Sequence, residues 1–253
     1  MNSHRSLEVL FSPAEFALLP ARDLSETVCV VFDVLRATST MVTALHHGAA
    51  EIVPVTGIAE ALAQRRLDPQ VLLAGERDGV RIRAEITGGI DFDLGNSPRE
   101  FKSDKIAGRK IVMTTTNGTR ALTACAGAEA VWICSLLNLE TTLLRVQDAA
   151  RLLVICSGTA EQAAYEDALG AGALCDLLWE RFEGGKVADS AFMVRQLYLG
   201  EKNDVAGALA RSSNGHRLAS QPDLAPDVPF CAQRDLYDLS ARMRKDGIVR
   251  KEI

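Results

Sequence analysis

Val28-Cys29-Val30-Val31-Phe32-Asp33-Val34-Leu35-Arg36-Ala37-Thr38-Ser39-Thr40 opens on five apolar residues and closes on a hydroxyl-rich turn. An unbroken β-rich run of this length suits a strand buried on both faces. Met41, Ala44 and Leu45 follow at helical spacing, so the segment reads strand, turn, helix. The pattern recurs along the chain. Glu51-Ile52-Val53-Pro54-Val55 is a second strand, Ile58 to Arg66 a helix, and Val71-Leu72-Leu73-Ala74 a third strand. Lys110-Ile111-Val112-Met113 is a strand followed by a helix from about Thr119. Ala130 to Cys134 is a strand followed by a helix over Leu139 to Ala149. Leu152 to Cys156 is a strand, and a long helix runs over about Glu161 to Phe182. Such alternation predicts a layered α/β/α fold with a mostly parallel or mixed sheet.

Two regions break the rhythm. Gly75 to about Pro98 is rich in glycine and carries Glu76, Arg77, Asp91 and Asp93. A long charged loop inside a compact domain points to function. From Lys186 onward the reading is mostly helical, with Leu224 to Pro229 as a connector. The order strand, Thr/Ser-rich turn, helix, Gly-Ala, strand occurs twice, with Thr40 and Gly48 matching Thr119 and Gly127 at one common offset. Duplication of a βαβ unit and convergent turn chemistry both account for it. Residues 1–253 are read as a single domain, with two pseudo-repeated lobes, about 1–105 and 106–253, sharing one site.

Composition narrows the function. The chain has 253 residues, 47% of them hydrophobic and 24% charged, with a formal net charge of -5 and a pI near 5.5. An acidic protein without a basic block is a poor nucleic-acid binder, so an anionic ligand must be held by local features. No apolar run approaches the ~20 residues of a membrane span, and Met1 to Ser6 lacks a signal-peptide layout; a cytoplasmic location is expected, with no membrane partner. Six cysteines without a Cys-x-x-Cys pair argue for buried reduced thiols. The sequence leaves the oligomeric state open, a homodimer included.

Three predicted strands end in polar turns that open helices: Asp33 to Thr40, Thr114 to Arg120, and Cys156-Ser157-Gly158-Thr159. Turns at the C-terminal strand ends of a parallel sheet share an edge, where ligands bind. Helix N-termini, hydroxyls and glycines offer hydrogen bonds to an anion, and arginine offers a fork. Simple helix capping would use the same residue types. Three such turns on one edge, two of them with arginine, favour an anion site. Its candidate residues are Thr38, Ser39, Thr40, Asn96, Ser97, Thr115, Thr116, Asn117, Gly118, Thr119, Arg120, Ser157 and Gly158. Asp33, Arg36, Glu76 and Arg77 are the catalytic candidates. Asp33, Glu166 and Asp167 could supply the hard oxygen ligands that Mg2+ prefers. Salt bridges and helix-dipole pairing are the plain alternatives for these charges.

Several phosphate chemistries are excluded. An Asp-x-Asp nucleophile motif would need an acid at Leu35, and a Cys-x5-Arg loop from Cys156 would need arginine at Gln162. No Gly-x4-Gly-Lys loop occurs. Gly170-Ala171-Gly172 lies within a predicted helix, and His4, His46, His47 and His216 form no ligand pair.

Taken together, Asp33 to Thr40, Gly75-Glu76-Arg77, Phe92-Asp93-Leu94-Gly95-Asn96-Ser97-Pro98, Thr114 to Thr119, and Cys156-Ser157-Gly158 with Glu166-Asp167 downstream resemble the 2-phosphosulfolactate phosphatase, or ComB-like, family. Phe230-Cys231-Ala232 followed by Asp235 is similar to its C-terminal segment. The resemblance covers nearly the whole chain. It implies a ComB-like fold and Mg2+-dependent hydrolysis of 2-phospho-3-sulfolactate, or a related small anionic phosphate ester, in coenzyme M biosynthesis. A non-catalytic phosphate-ligand sensor and a phosphotransferase are the alternative functions.

Overall fold

Eleven strands form one mixed sheet in the computed structural model, which describes residues 4–252. The strands are β1 (Ser6–Leu10), β2 (Val28–Phe32), β3 (Glu51–Pro54), β4 (Leu72–Arg77), β5 (Val80–Arg81), β6 (Lys110–Thr114), β7 (Ala130–Cys134), β8 (Arg151–Cys156), β9 (Lys186–Val187), β10 (Ser240–Met243) and β11 (Val249–Glu252). The helices are α1 (Pro13–Phe16), α2 (Ala37–His46), α3 (Ile58–Leu67), α4 (Ala84–Thr87), α5 (Ser103–Ile106), α6 (Gly118–Ala124), α7 (Leu139–Val146), α8 (Tyr165–Phe182), α9 (Asp189–Glu201), α10 (Val205–Arg211), α11 (Ser213–Ala219) and α12 (Asp227–Cys231).

The strand order is β5-β4-β6-β3-β11-β10-β7-β2-β8-β1-β9. On either side of the β10–β11 hairpin the long strands are parallel to one another: β4, β6 and β3 on one side, β7, β2, β8 and β1 on the other. The pairings of β11 with β3, β10 with β11 and β10 with β7 are all antiparallel, so the two parallel halves run in opposite senses. Read outward from the hairpin, the order is β3, β6, β4 in one direction and β7, β2, β8 in the other. Helix α2 carries the chain from β2 to β3, and α6 carries it from β6 to β7. Each crossover passes the hairpin and one further strand, so the two βαβ units are topological mates. The segments 1–105 and 106–253 interleave in the sheet, since β6 lies beside β3 and β7 beside β2.

Alternation of side chains along a strand divides the core. Cys29 and Val31 of β2 face one side, packed with Met41, Val42, Ala44 and Leu45 of α2 and Ala121 and Leu122 of α6. Val28, Val30 and Phe32 face the other, packed with Leu169, Leu174, Leu178 and Phe182 of α8, Leu139 of α7 and Val194 of α9. In the other half, Leu73 and Val112 pack on Ala61 of α3. The result is the expected α/β/α layering. All six cysteines are free and buried.

Three local readings are corrected. The strand read as Val71 to Ala74 continues to Arg77 and turns back into β5, so Glu76 and Arg77 lie on a strand and not in a loop. The region after Lys186 contains β9 and the central hairpin β10–β11, not helix alone. Pairing with β7, and Arg242 lying 5.5 Å from the Trp132 ring centroid, recruit a polar segment to strand. The long helix starts at Tyr165, because Thr159 and Gln162 pair across a tight turn with Ala160 and Glu161 at positive φ.

Candidate active site

Asp33 follows β2, and its carboxylate closes the turn into α2. Oδ1 accepts the Ala37 N–H at 2.9 Å, while the Thr38 hydroxyl donates to the Asp33 carbonyl and accepts its N–H, both at 3.0 Å. The turn after β6 is closed in a similar way, with the bracing hydroxyl one residue nearer. Thr115 Oγ1 accepts the Thr119 N–H at 3.3 Å, and the Thr119 hydroxyl donates to the Thr115 carbonyl at 3.3 Å. By these bonds Asp33 corresponds to Thr115 and Ala37 to Thr119, an offset of 82 residues and not the 79 that matches Thr40 with Thr119 in the sequence, and only the first turn carries a carboxylate.

The two turns touch. A Cβ on Gly118 would lie 2.7 Å from Asp33 Oδ2 and 2.7 Å from the Ala37 Cβ, so the start of α6 reaches Asp33 only because residue 118 has no side chain. The β8–α8 turn joins them: the Asn117 amide donates to the Gly158 carbonyl at 2.9 Å. Gly158 has φ 67°, and a Cβ there would meet the Gln162 carbonyl at 2.4 Å.

The turns enclose a cleft of about 130 Å³ lined by Asp33, Arg36, Glu76, Asn96, Thr115, Thr116, Asn117, Gly158, Glu166 and Asp167 among others. Segments distant in sequence thus converge, with Asp33, Asn117 and Glu166 on one rim. Two of the acids spend their oxygens on the frame. Glu76 Oε1 accepts the Thr116 N–H and hydroxyl, each at 2.9 Å, and Oε2 accepts the Gly79 N–H at 2.7 Å. Asp167 Oδ1 accepts the Val34 N–H at 2.8 Å and Oδ2 the Gly158 N–H at 3.1 Å. Glu166 Oε1 accepts from the Asn214 amide. Asp33 Oδ2 and Glu166 Oε2 accept no hydrogen bond from the described residues.

Crowding of carboxylates sets the electrostatics. Desolvation pushes Asp33 up to about 6, with the charges of Glu76 and Glu166 adding to the rise. Burial likewise raises Asp167 well above the usual carboxylate range, helped by Asp33 and Glu166. Opposite charge comes from Arg36, which is buried. Its Nη1 bonds Asp227 Oδ2 at 2.6 Å and its Nη2 the Gly79 carbonyl at 2.7 Å.

Several expected residues lie elsewhere. Arg77 does not line the cleft. Neighbouring residues of a strand point to opposite faces, and with Glu76 turned inward, Arg77 bonds the Glu76 carbonyl and Thr114 Oγ1. Arg120 pairs with Glu161 on the surface at 2.8 Å. Thr38, Ser39 and Thr40 direct their hydroxyls to the carbonyls of Asp33, Val34 and Asn96, so they brace the turn. Ser97 donates to Asp227 at 2.6 Å, Thr119 is a buried brace, Gly118 abuts Asp33, and Ser157 is buried beneath the lining. The sequence reading missed Asn214 and Arg217, which complete the wall from α11, and Asp227 behind Arg36. A lone acid within Pro226-Asp227-Val228-Pro229 was the available signal for Asp227.

The donor set bears on a metal. Among the described residues no three acids, histidines or cysteines close into a ready-made cage. Mg2+ does not require one: it binds through one or two carboxylates, waters and phosphate oxygens. The free oxygens of Asp33 and Glu166 fit that mode, whereas Asp167 is committed to two backbone N–H groups.

A profile of the 2-phosphosulpholactate phosphatase family matches residues 15–246. A protein of Pseudothermotoga lettingae described as a probable 2-phosphosulfolactate phosphatase is 35% identical, over 97% of this chain and 99% of its own. Proteins with the same description from Caldicellulosiruptor saccharolyticus and Symbiobacterium thermophilum are 36% and 38% identical, covering 87% and 85% of this chain and 90% of each relative. With its α/β/α layers and strand-end cleft, the chain belongs to the 2-phosphosulfolactate phosphatase family.

Proposed function

We propose that this chain is a Mg2+-dependent phosphatase that hydrolyses 2-phospho-3-sulfolactate to 3-sulfolactate and phosphate. The convergence of Asp33 and Glu166, each with an uncommitted oxygen, with the guanidinium of Arg36 in one cleft carries this reading. A phosphate monoester dianion repels nucleophiles, so its hydrolysis needs positive charge about the phosphoryl oxygens. When bound by Asp33 and Glu166, Mg2+ supplies part of that charge. Arg36 supplies another part from a position fixed by Asp227 and Gly79. Asp167 and Glu76 hold the turns after β2, β8, β4 and β6 in register, which keeps Asp33 facing the substrate. Water forms the new P–O bond as the ester P–O bond breaks, and the leaving alkoxide takes up a proton.

The test is phosphate release from 2-phospho-3-sulfolactate with Mg2+ and with EDTA. Release that EDTA abolishes and Mg2+ restores is expected. Binding of the ester without release from it, or from any carboxylated or sulfonated ester, would show a ligand-binding protein instead.

A further inference from the structure

A second pocket of about 360 Å³ adjoins the cleft and shares Arg36, Gly79 and Asn96 with it. Its walls come from β5 and the residues after it, the loop at residues 95–100, and the connector before α12. Four arginines line it, Arg36, Arg81, Arg83 and Arg99, against two acids, Glu100 and Asp223. Most of these arginines are fixed from behind. Arg99 Nε bonds Asp227 Oδ1 at 2.7 Å and its Nη2 donates to the Asp223 carbonyl. Arg81 pairs with Glu100 at 3.0 Å, and among the described residues Arg83 is held only by a 3.6 Å contact with Asp91. Asp227, fully buried, takes Arg36 on one oxygen and Ser97 and Arg99 on the other. One carboxylate thus sets the position of the guanidinium between the two compartments and of one on the far wall.

An independent observation marks the junction. Asn96 is 5% exposed and lines both compartments, and its buried Oδ1 has no hydrogen-bond partner among the described residues. The Asn96 side chain is thus incompletely satisfied where the two compartments meet.

We infer that this arginine-lined annex receives the acid end of the substrate, a carboxylate or sulfonate, while the phosphoryl group lies in the cleft beside Asp33. The inference rests on the phosphatase reading above and assigns the specificity of that site to Arg99 and Arg83, with Asp227 as the positioning residue for Arg36 and Arg99. Guanidinium groups held in place bind such oxyanions through paired, charge-assisted hydrogen bonds.

The experiment compares kcat/KM for two phosphate monoesters of similar size, one bearing a carboxylate or sulfonate and one neutral. The variants are Arg83→Gln and Arg99→Gln in the full chain with Mg2+. The ratio of acidic to neutral ester should fall about tenfold in each variant, mainly through KM of the acidic ester. Arg99→Lys should recover part of the ratio lost in Arg99→Gln. A ratio within about twofold of the parent in both glutamine variants overturns the assignment. Arg83→Gln keeps the test decisive should Arg99→Gln unfold, because Arg83 is half exposed. Absence of turnover of either ester by the parent chain would instead defeat the phosphatase reading itself.

Discussion

Gly118 stands so close to Asp33 that a single methyl group at residue 118 would fall 2.7 Å from the Asp33 Oδ2 oxygen. Gly118→Ala should therefore displace the carboxylate, or the start of α6, by several tenths of an ångström. Activity should drop at least tenfold while the fold survives, since alanine is the better helix former. Steady-state kinetics beside a thermal melt separate these effects. Equal losses in kcat and melting temperature would point to misfolding and not to displacement of Asp33.

Asp33 should be indispensable for turnover. Asp33→Asn keeps the size and an acceptor for the Ala37 N–H but removes the charge, and should lower kcat roughly 10³-fold. Substantial retained phosphate release would remove Asp33 from its assigned role.

The raised position of Asp33, about 6, gives a pH profile with a defined sign. The ionised carboxylate is the active form, so kcat/KM should rise with pH through about 6. Stability moves the other way. The folded chain binds this proton more tightly than the unfolded chain, whose Asp titrates near 3.8, so stability declines as pH climbs from about 4 to about 6. Urea denaturation across that range reads the trend for the metal-free protein.

Mg2+ should offset the repulsion among the carboxylates. At pH 8 a saturating concentration should raise the melting temperature, and at pH 5, where protons compete for Asp33, the rise should shrink. Glu166→Gln should diminish the rise as well. A melting temperature indifferent to Mg2+ at pH 8 would count against a site built from Asp33 and Glu166.

Asp227 and Arg120 make a contrasting pair. Asp227→Ala leaves Arg36 charged and buried without its partner, which costs about 3–5 kcal/mol. Arg120 and Glu161 are exposed, and their coupling in a double-mutant cycle should stay below about 1 kcal/mol. Chemical denaturation of the single and double variants checks both values.

Much of the architecture was legible because buried strands announce themselves. Val28 to Phe32, Ile111 to Met113 and Leu152 to Cys156 are apolar runs too short for helices, and Asp33, Asn117 and Gly158, from the turns after them, do meet. Direction was harder to read. Thr38, Ser39 and Thr40 have the chemistry of an anion site, but residue type does not tell whether a hydroxyl faces a ligand or its own backbone. Strand alternation turns Arg77 away, because β4 extends past Gly75 to Arg77, and its pairing with β5 has no apolar pattern in the sequence to announce it. Asn214 and Arg217 come from α11, a helix of seven residues too short for a clear period, and its approach to Glu166 is decided by tertiary packing. The hairpin escaped for a similar reason, since Ser240 to Met243 becomes strand through its neighbours on either side.

That hairpin has a consequence for biosynthesis. Residues 240–252 occupy the middle of the sheet, so no ladder joins the half containing β6 to the half containing β2 while those residues are still inside the ribosomal tunnel. Until they emerge, β3 and β7 each present an open edge, the kind of surface that templates wrong pairings between nascent chains.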